Sequence, residues 1–388
     1  MTQVVQPFSV HVDQAVLDDL HARLARTRWP DAPADAGWRC GTDLDYLKRL
    51  VAYWQTEYDW RTHEVMLNRA RQYTADLGGV RLHFIHEPGT GPDPLPLLMS
   101  HGWPGSVWEF HKVIPMLTDP VRFGGDPSDA FTVIAPSLPG YAFSHNPRQR
   151  FSVESIATIF FTLVTDVLGY PRFGTQGGDW GAFVTSRMAW EHPEAVAGLH
   201  LNFLPVRRDP QLFERLKAES GETRQFLEAL QHFLAEETGY QAIQGTKPQT
   251  LAFGLTDSPV GLAAWIVEKF QTWTDNHGDL DGYLGRNELI TNIMLYWTTG
   301  AIASSFWPYY ARLHGPWPIP DGAGIVVPMG YAEFPKEILK PPRAVVESLF
   351  RDIRRWERMP RGGHFAALEQ PEALAQEIRE FFRPLRTR

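Results

Sequence analysis

A single cysteine, Cys40, stands in the 388 residues, so no disulfide can form within the chain. Burial and hydrogen bonding must hold the fold together, and a lone thiol fits a reducing compartment. A cytoplasmic location is the expectation. The chain also lacks any apolar run long enough to span a bilayer. Its opening stretch, Met1–Phe8, has neither the basic cluster nor the apolar run of a signal peptide, so no membrane anchor is expected. Positive charge is short as well: 37 Lys and Arg stand against 45 Asp and Glu, a formal net charge of −8. That balance argues against nucleic acid or an anionic membrane surface as a partner. Low-complexity segments are absent. What the chain holds in quantity is aromatic, with 14 Trp and 23 Phe, which can build a large core or line an apolar ligand cavity.

The length exceeds one compact core, so a main domain with additions is expected. Residues 1–90 read as a leader. Val12–Arg26, with Asp13 as a candidate cap, and Leu44–Tyr53 have helical spacing; Tyr73–Asp76 and Val80–Ile85 form a hairpin across Gly78-Gly79. Residues 91–202 alternate buried strands (Leu95–Met99, Phe131–Ala135, Phe173–Gly177, Val196–Leu201) with helices (Ser106–Leu117, Ile156–Leu168, Ala182–Trp190). Such alternation predicts an α/β fold, a mostly parallel sheet with helices on both faces. Residues 203–315 carry helical patterns and no buried strand, which marks an inserted helical lid. Residues 316–388 resume the sheet, with a strand at Gly324–Met329, a helix at Pro342–Arg351, a strand at Arg355–Met359 and a last helix at Glu372–Phe382.

The chain is organised around Phe173–Gly181, F-G-T-Q-G-G-D-W-G. Small-x-nucleophile-x-small at a strand-to-helix junction is the spacing of a nucleophile elbow, in which the central side chain stands exposed above the sheet. Most elbows hold Ser; this one holds Asp179. The competing reading is a helix N-cap, for which Asp is favoured. His101–Ser106, H-G-W-P-G-S, follows an early strand, where such folds place an oxyanion-hole N–H. His364, in R-G-G-H-F-A-A-L-E-Q-P, follows the last strand and comes last in the order nucleophile, acid, histidine. A loop histidine there suits a general base. The acid belongs after the preceding strand, where Gly330–Leu339 offers Glu333 and Glu337. Topology leaves that choice even.

These stretches together resemble the epoxide hydrolases of the α/β-hydrolase superfamily, in the branch with an N-terminal leader: microsomal, insect juvenile-hormone, fungal and actinobacterial members, the last most similar. The likeness runs nearly end to end, through P-F-S-V, R-L-A-R-T-R-W-P, H-G-W-P-G-S, P-S-L-P-G-Y-A-F-S, G-G-D-W-G, T-K-P-Q-T, D-S-P-V-G-L-A-A-W-I, F-P-K-E and G-G-H-F-A-A-L-E. It implies Asp179 as nucleophile, His364 as base and Glu337, in F-P-K-E, as the acid, with Glu333 second. Lid tyrosines that activate the epoxide match Tyr240 and Tyr309, with Tyr310 the rival of Tyr309. Trp103 and Trp180 match the residues whose backbone N–H groups form the oxyanion hole.

The chemistry is self-consistent. A carboxylate can displace at a strained sp³ carbon and leave an ester; a phenol can protonate the departing alkoxide without acting as a base at neutral pH. The ester is then open to water activated by a histidine. Neither metal nor organic cofactor is required. A haloalkane dehalogenase shares the Asp–His–acid logic but needs halide-binding donors in place of two phenols. A non-catalytic ligand-binding member of the fold is the reading from another class. The expected partner is a small-molecule epoxide with a bulky apolar or aryl body, in detoxification, aromatic hydrocarbon catabolism or natural-product pathways of the enediyne type. A homodimer is left open.

Overall fold

The computed structural model describes residues 4–145, 149–207, 210–217, 219–320 and 322–386. Of the stretches discussed above, residues 1–3, 146–148, 208, 209, 218, 321, 387 and 388 lie outside the described residues.

Nine strands among them form one sheet: β1 (Gln6–Phe8), β2 (Gln72–Leu77), β3 (Val80–Glu87), β4 (Leu95–Ser100), β5 (Phe131–Pro136), β6 (Phe173–Gly177), β7 (Val196–Leu201), β8 (Met329–Glu333) and β9 (Ile353–Arg358). Their order is β1-β2-β3-β5-β4-β6-β7-β8-β9. The four strands from β1 to β5 pair antiparallel, and from β5 to β9 every pair is parallel. The first three strands come from the leader, so the sheet runs unbroken across the boundary drawn at residue 90.

Alternate residues of the central strands face opposite sides. Leu97, Met99 and Val133 join Leu374 and Ile378 of the last helix, Pro371–Phe382, while Leu98 and Ile134 join Ile156 and Phe160 on the other face. Both faces are covered, which explains the continuously apolar run of β4. In register, Ser100 of β4 pairs with Gly177 of β6. The loops that follow these two strands therefore leave the sheet side by side.

Between β7 and β8 the chain builds the lid, a set of helices running from Pro210–Lys217 to Trp307–His314. The leader helices Gln14–Ala25 and Leu44–Thr56 pack on the lid helix Pro259–Trp273. Polar bonds add to this: the Tyr46 hydroxyl donates to Asp281 at 2.6 Å, and Arg23 pairs with Asp257 at 2.8 Å. Burial decides the energetics. Leu20, Leu50 and Trp54 are each 1% exposed, and a buried Trp is worth on the order of 3–5 kcal/mol. The Arg23–Asp257 pair lies in solvent, where screening leaves it little weight beside that burial.

The structure corrects several expected elements. The strand predicted at Gly324–Met329 lies one step later, at β8; Ile325 makes only an isolated bridge to Phe350, and Pro328, which has no N–H to give a ladder, separates the two. The helix predicted at Ser106–Leu117 is a tight turn, Val107–Phe110, followed by a short helix, Val113–Thr118. The helix of Ile156–Leu168 starts earlier, at Val153, and ends in one wide turn, Leu163–Val167. Only Arg343–Val346 is helical within Pro342–Arg351. Asp13 precedes its helix but makes no capping bond.

Candidate active site

The turn from β6 into the helix Asp179–Glu191 forces Asp179 to φ +47°. Left-handed backbone is uncommon for a residue with a Cβ and costs on the order of 1–3 kcal/mol. Glycine is required around it because a Cβ on Gly181 would lie 1.9 Å from the Ser100 carbonyl oxygen, and one on Gly102 would lie 2.1 Å from Asp179 Oδ1. The Asp179 carboxylate does not cap its own helix; Gly178 holds the N-cap position without a side-chain bond. Instead the Trp103 backbone N–H donates to Asp179 Oδ1 at 2.7 Å. Trp180 occupies the first turn of the helix, where N–H groups have no intrahelical acceptor.

The other carboxylate oxygen, Oδ2, lies 3.4 Å from His364 Nε2. On the far side of the ring, His364 Nδ1–H donates to Glu337 Oε1 at 2.7 Å, and the same oxygen accepts the Ile338 N–H at 2.6 Å. Glu337 and His364 are buried, whereas Asp179 is 19% exposed at its side chain. Burial alone would lower the pKa of His364. The flanking carboxylates of Glu337 and Asp179 outweigh it and hold the imidazole well above its usual value. Glu333, the second candidate acid, is turned away. At the end of β8 it accepts the Trp356 indole N–H at 3.0 Å and lies 3.4 Å from Arg358.

Tyr240, on the lid helix Gly239–Thr246, and Tyr309, on Trp307–His314, are both buried. Tyr240 stacks on Trp103 with centroids 5.2 Å apart and meets Tyr309 edge-on at 5.8 Å; Tyr309 stands at 90° to Trp180. The two rings and Asp179 share the wall of a cavity of about 30 Å³ with Trp180, Phe183, Phe203 and Arg312. Burial, more than the neighbouring Tyr240 phenol and the Asp179 carboxylate, keeps the Tyr309 phenol well above its ordinary pKa, hence protonated and a donor. The Tyr240 hydroxyl accepts from Gln241 Nε2 at 2.8 Å. Tyr310 points elsewhere, with His314 stacked on it at 4.0 Å and Arg150 over its ring. A second cavity, of about 20 Å³, lies against Asp179 and His364 and is lined by Gln176, Asn202 and Glu109. That is room for one water among polar groups. Among the described residues no group of three or more His, Cys, Asp or Glu could hold a metal ion.

Apart from the X-Pro bond at Trp103-Pro104, which the sequence marks as able to be cis, what holds these loops in place was not legible in the sequence. The peptide bond Trp103-Pro104 is cis. Asn292 on a lid helix donates to the Pro104 carbonyl at 2.7 Å and accepts the Ser106 hydroxyl at 2.8 Å; Tyr296 donates to the Gly105 carbonyl at 2.7 Å. The histidine loop is tied to the lid as well. The His364 N–H donates to the Trp273 carbonyl at 2.9 Å and the Gly362 N–H to Asp275 at 3.0 Å. Glu369 bridges the two, accepting from the Asp275 and Phe365 N–H groups at 2.9 Å each, and burial pushes its carboxyl up to about 7. His101, beneath the oxyanion loop, is pushed down to about 4 by burial and stays neutral; its Nε2 accepts the Leu138 N–H. Glu369 and His101 both sit in motifs already singled out, so position could have flagged them; Asn292 and Tyr296 carry no sequence signal beyond a helical pattern.

The chain is similar to known proteins along nearly its whole length. The family model described as epoxide hydrolase N terminus matches residues 5–110, and that of the alpha/beta hydrolase fold matches residues 96–280. Epoxide hydrolase 1 of Sus scrofa is 40% identical over 97% of this chain and 88% of its own length. The crystal structure of juvenile hormone epoxide hydrolase from Bombyx mori superposes with a TM-score of 0.89 at 31% identity, covering 99% of this chain and 95% of that one. Epoxide hydrolase of Aspergillus niger superposes at 0.85 with 27% identity, over 99% and 97%. The chain therefore belongs to the epoxide hydrolase family, in the branch that joins an N-terminal leader to an α/β-hydrolase fold.

Proposed function

We propose that this enzyme converts its epoxide to a vicinal diol through an alkyl ester on Asp179. One observation carries the reading: one oxygen of a strained, elbow-borne carboxylate is held by a backbone N–H, the other faces a histidine, and two phenols wall the same cavity.

Asp179 Oδ2 attacks a ring carbon of the epoxide, whose C–O bond breaks, and the alkoxide takes a proton from Tyr240 or Tyr309. Esterification removes the negative charge of Asp179. One of the two carboxylates that raise the His364 pKa is then lost, and the imidazole becomes free to act as a base. It takes a proton from a water in the small cavity beside it, and the hydroxide adds to the ester carbon. Charge gathers on Oδ1, against the N–H groups of Trp103 and Trp180, each worth about 3 kcal/mol. The bond from that carbon to Oδ2 breaks, His364 returns the proton to the departing oxygen, and the diol leaves with the former Asp179 Oδ2. The carboxylic acid now on Asp179 gives up its proton and the phenolate takes one back, which restores the resting site.

This balance fixes an isotope outcome. Excess enzyme turning over once in ¹⁸O-water should release unlabelled diol and carry the label into the Asp179 peptide, whereas many turnovers should label the diol. Label in the diol of the first turnover would mean direct attack by water and would overturn the ester.

Glu337 steadies the imidazolium, and its carboxylate is what a Gln lacks. Glu337→Gln should slow ester hydrolysis by about 10²-fold or more in single-turnover kinetics. Glu333→Gln should change it by less than about threefold, because Glu333 serves Trp356 and Arg358. The reverse order would transfer the role to Glu333.

Phe183, Phe203, Phe233, Ile338 and Leu339 wall the space over Asp179, which suits an apolar or aryl substrate body. The space of about 30 Å³ falls below the roughly 300–1,000 Å³ of ligand pockets, so these side chains must shift to admit a bulky epoxide.

A further inference from the structure

Resting on the reading above, we infer that Arg312 is an anion-recognition residue and that the enzyme's substrates are epoxides carrying a carboxylate on an otherwise apolar body. Arg312 lies one turn beyond Tyr309 on the same lid helix and lines the same cavity as Asp179, Tyr240 and Tyr309. The other residues of that wall are mainly aromatic or aliphatic, and Gln241 is turned toward the Tyr240 hydroxyl. An arginine in such a wall is unusual.

The surroundings explain neither its charge nor its donors. Its guanidinium carbon sits 5.3 Å from the centre of the Trp317 ring. Stacking of that kind uses the face of the group and leaves the N–H edge unspent. Among the described residues no carboxylate pairs with it and no carbonyl accepts from it. Other half-buried arginines do have acceptors: Arg355 has Glu377 at 2.5 Å, and Arg386 donates to the Ala130 carbonyl at 2.8 Å. A largely enclosed guanidinium without an acid is a desolvated charge, and burial lowers its pKa accordingly. A partner arriving with the substrate supplies what is missing. A carboxylate fits the planar fork with two parallel hydrogen bonds. The ion pair would form on the roof of the cavity and leave the epoxide between the phenols and Asp179. Trp317 in turn packs edge-on against Phe183 at 5.6 Å, so one aromatic wall runs from the guanidinium to the neighbourhood of the nucleophile.

The test uses the full-length enzyme and a matched pair of probes, 3-phenylglycidate and its methyl ester, assayed in one preparation. The wild type should favour the acid over the ester in kcat/KM. Arg312→Met should lower that acid-to-ester ratio by about 10- to 100-fold, the scale of a lost charge-assisted pair. Arg312→Lys, with its charge but no fork, should fall between. The ratio is internal to each preparation, so partial unfolding cancels. The wild type should also be competitively inhibited by 3-phenylpropionate and not by its amide. An unchanged ratio in both variants, or a wild type that opens only the ester, would overturn the inference while leaving the ester mechanism standing. Equal loss on both probes would place Arg312 behind the phenols and also overturn it. If neither probe nor any neutral epoxide is opened, the proposed function itself falls and takes this inference with it.

Discussion

A His364→Gln enzyme should complete ring opening and then stop. Mixed with epoxide, it should gain one substrate mass on the peptide bearing Asp179, while diol formation falls by about 10²- to 10⁴-fold, the range for a lost general base. The imidazole is 3.4 Å from Asp179 Oδ2 and is not needed for the displacement. Acid should imitate the substitution in the wild type. In the resting enzyme two carboxylates hold the His364 pKa above its ordinary value against burial. The ester keeps only Glu337, so the pKa falls on alkylation. Hydrolysis needs the neutral ring, and its rate constant should rise with pH until that lowered pKa is passed. Alkylation tolerates the imidazolium. Below that pKa the ester should therefore accumulate, as seen by rapid quench and mass spectrometry. An adduct on another peptide, none during slow turnover, or accumulation at alkaline instead of acid pH would remove this assignment.

Loss of both phenols should have the opposite signature. Tyr240→Phe and Tyr309→Phe keep each ring, including the stack on Trp103 and the edge contact with Trp180, and delete only the donors. The hydrogen bond strengthens as the alkoxide forms, so the loss should appear in the rate of alkylation and little in binding. Each single change should cost about 10- to 10³-fold, and the double variant should be near inactive in ring opening. Hydrolysis of an ester already formed should be far less affected. Stopped-flow tryptophan fluorescence separates the two steps, and Trp103 and Trp180 stand close enough to report on both. A double variant that opens epoxides at the wild-type rate would remove the phenols from the mechanism and reopen the dehalogenase reading. Tyr310→Phe should be nearly silent, since that ring lies between Arg150 and His314.

The sequence displayed local chemistry well and distant packing poorly. The elbow was legible because a tight strand-to-helix turn demands glycines at fixed offsets, and the central strands because burial on both faces erases polar alternation. Element ends were misjudged where proline or a change of turn intervened, as at Val107–Phe110 and Pro328. Choosing between Glu333 and Glu337 required knowing which side of β8 each leaves. Choosing between Tyr309 and Tyr310 required knowing which face of a helix meets the core, and adjacent aromatics give no periodicity to decide it. Asn292, Tyr296 and Asp275 act by holding loops that are far away in the chain, and Arg312 matters for a partner it lacks. None of these leaves a spacing to read.

The ties from Asn292, Tyr296, Trp273 and Asp275 into the loops of Trp103 and His364 bear on how such enzymes can diverge. The lid is not a detachable cover that a core could exchange for another. It carries Tyr240 and Tyr309, and it also fixes the backbone beside Trp103 and His364. A recombinant that inherits its lid from one parent and its core from another must inherit both ends of each tie, or its nucleophile will face a histidine out of line. The lid and the two core loops act as a single structural unit, although Asn292 and Pro104, joined at 2.7 Å, stand 188 residues apart in the chain.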